Sequence, residues 1–176
     1  MTYTRRRFTS ALVAAGASLS VGGFVLWRMT PPGRSDMTQE QQNKRVIRDM
    51  VQAVWVDRDL AALASFWTSD CVNHAGPGPD NVGLDALRAY HEGFLTGFLP
   101  AFSDPKIEYV QQVAEGDRVV SQMTFRGVHA GPFLGHVATG KAVTLKSIRI
   151  DRLEGGKIAE HWSVADMAGF LQKLKG

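Results

Sequence analysis

The sequence predicts an α+β domain in which N-terminal helices cover one face of a curved antiparallel sheet. Between Thr38 and Pro100 the apolar residues recur at helical intervals, and after Pro105 they alternate with polar residues. Helices followed by a run of antiparallel strands are typical of this fold class. We therefore expect a leader over residues 1–35 and a single domain over 36–176, which is long enough to bury one sizeable core.

The first helix is predicted by a capping box, because Thr38 and Gln41 have the required spacing ahead of an apolar helical pattern. The elements that follow are predicted from periodicity and from the positions of Gly and Pro. In order, they are a helix over 38–57, a short helix over 60–67, a short strand over 70–74 and a third helix that starts near Leu84 and ends before Pro100.

The second half is predicted to form four strands and a closing helix, over 107–113, 118–128, 143–153, 158–164 and 166–174. The two glycines at 155–156 are typical of a two-residue hairpin turn. A tight turn there places Ile150 opposite His161 and Ile148 opposite Ser163. His161 is therefore expected on an apolar face of the sheet.

This register predicts a cavity wall made of Met123, Phe125, Ile148, Ile150 and His161. Burial on that face would lower the pKa of the His161 imidazole and favour its neutral form, which can act as a base. The alternative is a core histidine that is held by one hydrogen bond.

Further candidates for contact with a substrate are Asn73, His74, His91 and His129. His74 precedes a Pro-rich loop, and His91 lies on the third predicted helix. His129 lies at a strand end, so a role in ordering a loop is equally consistent with its position. The sequence has no phosphate-binding loop and no Cys/His spacing typical of zinc sites, so no metal or organic cofactor is predicted.

Four segments occur in an order that resembles the SnoaL-like polyketide cyclase family, often labelled ester cyclase. They are VNHAGPGP at 72–79, GVHAGPFLG at 127–135, TGK at 139–141 and EGGKIAEHWSVAD at 154–166. The resemblance runs from about Gln39 to the C-terminus. It implies the nuclear transport factor 2-like cone, which commonly forms a homodimer through its outer sheet face.

In characterised polyketide cyclases of this family, a carboxylate two residues after the histidine acts as general acid and base. Here that position is Ser163, whose hydroxyl cannot replace a carboxylate without its own activating base. Ser163 and Asp166 instead have the spacing of a capping box for the closing helix.

Two functions follow from these residues. The first is a cofactor-free lyase or isomerase that removes a proton next to a carbonyl of a small apolar substrate. His161 would be the base, Asp166 would orient it or supply the acid, and Asn73 or His74 would polarise the carbonyl. The second is an exported protein that binds a small apolar molecule without turnover, which Ser163 favours.

The positive charge of the chain is concentrated in the leader. The chain carries a formal charge of +3, with 20 basic and 17 acidic residues, and five arginines precede the first acidic residue, Asp36. The remainder therefore has 15 basic and 17 acidic residues. This balance gives no indication of nucleic-acid binding.

The leader resembles a twin-arginine export signal, because Arg5 and Arg6 precede the uncharged run from Ser10 to Trp27. We therefore expect a periplasmic or extracellular protein. No clear cleavage site follows the run, so an uncleaved leader that anchors the protein in the membrane is the alternative.

Replacing Arg5 and Arg6 with Lys should retain the protein in the cytoplasm, because the twin-arginine route requires that pair. Cell fractionation followed by immunoblotting measures the distribution. Export of the double mutant at the wild-type level would contradict this interpretation of the leader.

Overall fold

The computed structural model describes residues 37–76 and 78–175, and the predicted leader lies outside them. The helices are α1 (Gln39–Val51), α2 (Leu63–Phe66), α3 (Gly83–Gly93) and α4 (Met167–Leu174). The strands are β1 (Trp67–Asn73), β2 (Asn81–Val82), β3 (Phe102–Glu115), β4 (Arg118–His129), β5 (Ala142–Glu154) and β6 (Lys157–Ala165).

Local signals in the sequence account for most of these bounds. The predicted capping box at Thr38 and Gln41 is confirmed, with both reciprocal hydrogen bonds present. The first and third predicted helices continue past their α-helical parts as π-helical turns, at Gln52–Val56 and Phe94–Phe98. The region 60–67 begins with a 3₁₀ turn, and its last residue, Trp67, already belongs to β1.

The strands form one curved sheet in the order β2-β1-β6-β5-β4-β3. Strand β1 pairs with β6 in parallel, and every other pair is antiparallel. The helices cover one face, where a core of side chains such as Ile47, Met50 and Leu87 packs against the sheet. A second core, rich in phenylalanine, joins α4 to the same face through Phe125 and Phe170. The predicted α+β class with N-terminal helices over an antiparallel sheet is thus shown, with β1 as a parallel addition.

The register of β5 and β6 differs by one residue from the prediction. The turn is tight, as expected, with Gly155 and Gly156 at positive φ and Glu154 paired with Lys157. A bulge follows, because Leu153 pairs with Ile158 whereas Arg152 pairs with Glu160. The bulge leaves Ala159 as an extra residue on β6 and shifts every later pair.

The shifted register reverses the expected faces of β5. Ile150 lies opposite Trp162 and Ile148 opposite Val164, so the prediction that both isoleucines line the cavity is wrong. Both point to the outer face, where they are 37% and 52% exposed. Arg149 and Asp151 take the inner positions instead.

The predicted capping role of Ser163 is also wrong. Strand β6 continues to Ala165, so Ser163 lies inside the sheet. The N-cap of α4 is Asp166, whose side chain accepts a hydrogen bond from the backbone N–H of Gly169. In the described part of the chain, no helix is both long enough and apolar enough to cross a membrane.

Candidate functional site

A cavity of about 230 Å³ lies between the inner sheet face and the helices. Its wall is mainly apolar, and four of its aromatic residues come from α3 and the two π-helical turns. These four are Trp55, Tyr90, Phe94 and Phe98, and the sheet adds Trp67 and Phe125. Such a cavity fits a small apolar molecule that has a few polar groups.

Six of the residues predicted to form the site line this cavity. They are Asn73, His91, Met123, Phe125, His161 and Ser163. They come from β1, α3, β4 and β6, which the sheet topology and helix packing bring together. Their placement is as predicted, whereas their chemical roles remain predictions.

The other candidate residues do not line this cavity. His74 lies within hydrogen-bonding distance of Asp80 (2.9 Å) and Glu160 (3.1 Å) and stacks on Trp162. Burial opposes its protonation, but the two carboxylates outweigh that effect and raise the pKa of His74. It therefore belongs to a charged cluster outside the cavity, because Asn73, one residue earlier on the chain, takes the inward position.

His129 is fully buried, and its Nδ1 lies 3.1 Å from the hydroxyl of Thr139. Backbone hydrogen bonds at His129 also hold Gly140 and Lys141. The placement of His129 therefore agrees with the alternative role, in which this residue orders a loop. Asp166 caps α4 and does not contact His161, so it cannot orient that imidazole.

Asp151 orients His161 instead. The His161 Nδ1 atom lies 2.8 Å from Oδ1 of Asp151, and both side chains are buried. The same carboxylate accepts two hydrogen bonds from Arg149, from Nε at 2.7 Å and from Nη2 at 2.6 Å. Arg149, Asp151 and His161 therefore form a continuous buried chain along the cavity wall.

This arrangement selects the protonation state of each group. Despite burial, the Arg149 charge holds the pKa of Asp151 below its ordinary value, so the carboxylate stays ionised and can only accept. Burial, together with the Arg149 charge, lowers the pKa of His161 although Asp151 opposes the shift. The neutral His161 ring thus carries its proton on Nδ1, facing Asp151, and its Nε2 lone pair is available as a base.

His91 is held in the opposite tautomer. The indole N–H of Trp55 donates to Nδ1 of His91 at 2.8 Å, so the only ring proton of the neutral imidazole must lie on Nε2. Burial, with smaller effects from Arg149 and His161, lowers the pKa of His91 to about 3. His91 is therefore a fixed neutral donor at any pH near 7.

Four donor-bearing side chains of the cavity wall have a buried N–H group that lacks a protein partner. The nitrogens are Trp67 Nε1, Asn73 Nδ2, His91 Nε2 and Arg149 Nη1. Each such group costs about 1–3 kcal/mol when it stays unsatisfied. Buried polar groups are nearly always paired, so each of these N–H groups needs a partner that the described protein atoms do not supply.

Arg149 and Asp151 were not predicted as site residues, although the sequence contains a signal for their face of β5. Val143, Leu145 and Leu153 lie on the same face of β5 as these two charges, as their odd numbers require. The sequence prediction instead placed the even-numbered residues Ile148 and Ile150 on the inner face. In the part of the chain that the structure describes, no three His, Cys, Asp or Glu side chains are grouped as a metal site requires.

Comparisons with known proteins agree with the fold. The model of the SnoaL-like polyketide cyclase family matches residues 45–174. No curated protein matches the chain. A solved structure of AclR, a candidate hydroxylase from Streptomyces galilaeus, is 30% identical, with 77% of this chain and 86% of that chain covered and a TM-score of 0.63.

Two further solved structures resemble this chain in fold at lower identity. IdmH, a candidate polyketide cyclase from Streptomyces antibioticus, is 23% identical, with 76% and 98% coverage and a TM-score of 0.64. A candidate SnoaL-like polyketide cyclase from Jannaschia sp. CCS1 is 20% identical, with 81% and 97% coverage and a TM-score of 0.65.

Substituting Asp151 with Asn should lower the free energy of unfolding by about 3–5 kcal/mol, because Arg149 would keep a buried charge without its counterion. Urea denaturation measures the change. The control is Glu154→Gln, which removes an exposed partner of Arg152 and should cost less than about 0.5 kcal/mol. Equal, small losses in both variants would contradict the buried ion pair.

Proposed function

The chain belongs to the SnoaL-like polyketide cyclase family, and on that premise we propose that it catalyses cofactor-free proton transfer next to a carbonyl of a small apolar substrate. The observation that carries the proposal is the buried hydrogen bond between His161 and Asp151 at the wall of an apolar cavity. The fold alone does not select this reaction, since one similar structure is described as a candidate hydroxylase and another as a candidate cyclase.

In the proposed step, Nε2 of His161 takes a proton from the carbon next to the carbonyl. The C–H bond breaks, an N–H bond forms, and the electron pair moves onto the carbonyl oxygen as an enolate. Asp151 accepts the Nδ1–H bond throughout and stabilises the imidazolium that forms, while Arg149 keeps Asp151 ionised. The same imidazolium can return the proton to carbon.

Because the position two residues beyond His161 is Ser163, the site lacks the carboxylate that acts as general acid and base in characterised members of the family. Ser163 lines the cavity at the position of that carboxylate. His161 must therefore act as the only base among the side chains that line the cavity. The alternative function, ligand binding without turnover, is favoured by Ser163 and by the unpartnered donors.

Exchange in D₂O of the single proton between the two carbonyls of ethyl 2-benzylacetoacetate, followed by proton NMR, tests the proposal. His161→Gln should slow the catalysed exchange by about 10²–10⁴-fold, because the base is removed. Ser163→Asp should accelerate it by adding a carboxylate. The matched control is His136→Gln, which changes a histidine outside the cavity lining and should leave the rate unchanged.

The pH profile separates these variants further. The wild-type rate should rise with pH as His161 loses its proton, and the midpoint of that rise should lie below the ordinary histidine value of 6.5, because burial lowers the pKa of His161. In Ser163→Asp the added carboxylate should move the rise to higher pH. Exchange that survives His161→Gln, or a wild type with no catalysed exchange, would contradict the proposed reaction. The second result would favour binding alone.

We also propose that the protein acts outside the cytoplasm as a homodimer. The twin arginines of the leader support export. Dimerisation is supported by adjacent exposed apolar residues on the outer sheet face, where Val120 pairs with Ile150 and Ile148 pairs with Val164. Burial of this face would also account for two isoleucines that point away from the core.

A further inference from the structure

Outside the cavity, His74 connects two segments of the chain through both of its ring nitrogens. Nδ1 lies 2.9 Å from Oδ2 of Asp80, in the segment that leads into β2, and Nε2 lies 3.1 Å from Oε1 of Glu160 on β6. The ring also stacks on Trp162, with the two ring centres 4.9 Å apart. The side chains of His74 and Glu160 are only 24% and 25% exposed, so solvent screens their contact in part.

Both ring nitrogens must donate for these two contacts to be favourable together. An ionised carboxylate only accepts hydrogen bonds, and a neutral imidazole carries a single N–H. Loss of a proton from His74 would therefore turn a nitrogen lone pair toward a carboxylate oxygen. The charged ring instead makes two charge-assisted hydrogen bonds. The protonation state of His74 thus determines whether both contacts can form.

The surrounding charges favour the protonated form of His74. Burial alone would lower its pKa, but the carboxylates of Glu160 and Asp80 raise it above the ordinary value of 6.5. Glu160 stays ionised because Arg152 on β5, which donates to its Oε2 at 3.0 Å, lowers the pKa of Glu160. Arg152 also contacts Glu154 at 3.3 Å. Three carboxylates therefore adjoin one guanidinium, and the charge of His74 offsets part of the excess.

Arg118 and His161 also lie next to this cluster. Arg118 on β4 lies 5.5 Å from the centre of the Trp162 ring. The backbone N–H of His74 donates to the carbonyl oxygen of His161 at 2.8 Å, and burial lowers the pKa of the His161 imidazole. The two histidine pKa values therefore lie on opposite sides of 6.5, and a rise in pH above that value deprotonates His74 while His161 is already neutral.

The segment between β1 and β2 both depends on this cluster and borders the cavity. Strand β2 consists only of Asn81–Val82, and so short a strand is marginally stable without further contacts. The backbone N–H of Ala75 donates to Oδ1 of Asn73 at 3.0 Å, and Gly76 lies against the ring of Tyr90. Asn73 and Tyr90 line the cavity, so movement of this segment would loosen the cavity wall.

We propose that His74, Asp80 and Glu160 form a pH-operated clamp that fastens the segment between β1 and β2 to β6. With His74 charged, both contacts form and the segment is held against the cavity wall. When His74 loses its proton, one contact is lost and the segment opens more often. Because folding raises the pKa of His74, the stabilisation is complete below pH 6.5 and is lost as the pH rises through the raised value.

Nitrogen NMR of protein labelled with ¹⁵N-histidine measures the titration of His74 between pH 5.5 and 9, with His74→Gln to assign its signals. We expect both ring nitrogens to be protonated at pH 6 and the pKa to lie above 6.5. Asp80→Asn removes one carboxylate and should lower the pKa of His74. His136→Gln changes a histidine outside the cluster and, as the matched control, should leave that pKa unchanged.

Amide hydrogen exchange of residues 78–82, corrected for its intrinsic pH dependence, measures how often the segment opens. In wild-type protein the corrected exchange should be slower at pH 6 than at pH 9, by about tenfold for each unit by which the pKa of His74 is raised. His74→Gln should exchange at the faster rate at both pH values, and His136→Gln should behave as wild type. Asp80→Asn, whose side chain is half exposed, provides the same comparison if His74→Gln does not fold.

A His74 pKa at or below 6.5, or corrected exchange with the same pH dependence in wild type and in the folded variant, would overturn the clamp. Slower exchange at pH 6 that depends on His74 would support it. Neither measurement uses a substrate, and none of the three clamp side chains lines the cavity. Failure of the proposed reaction therefore leaves both outcomes unchanged.

Discussion

The buried contact of Asp151 with both Arg149 and His161 is the interaction on which the candidate site depends. It neutralises a guanidinium in the interior, keeps a carboxylate ionised and selects the base-competent tautomer of His161. A buried ion pair is a weak source of net stability, because desolvation offsets most of the attraction. Its three hydrogen bonds are therefore better explained by the orientation that they impose on the imidazole than by a contribution to folding.

The geometry of that contact originates in one extra residue on β6. Without the bulge at Ala159, a hairpin with this turn would place Ile150 beside His161 and leave Asp151 and His161 on opposite faces of the sheet. The bulge therefore gives His161 the carboxylate of Asp151 as its cross-strand neighbour, in place of the apolar side chain of Ile150. Because β6 also pairs with β1 in parallel, the same strand places His161 beside Asn73. A local irregularity in one hairpin thus determines which chemistry the cavity wall can perform.

Features that depend on neighbouring residues could be predicted from the sequence. The contact of Asp151 with Arg149 and His161 could not. The capping box at Thr38 and the turn at 155–156 depend on neighbouring residues alone, and both occur as expected. The faces of β5 were ambiguous, because its apolar residues change from odd to even positions and back. Neither the small side chain of Ala159 nor the spacing of Arg149 and Asp151 identifies a bulge or a buried pair from the sequence alone.

The opposite tautomers of His161 and His91 can be observed directly by nitrogen NMR of protein labelled with ¹⁵N-histidine at pH 7. Both rings should be neutral, with the proton of His161 on Nδ1 and that of His91 on Nε2. The His91→Gln and His161→Gln variants assign the signals. A protonated His161 ring, or a neutral His161 ring that carries its proton on Nε2, would contradict the assignment of this residue as the base.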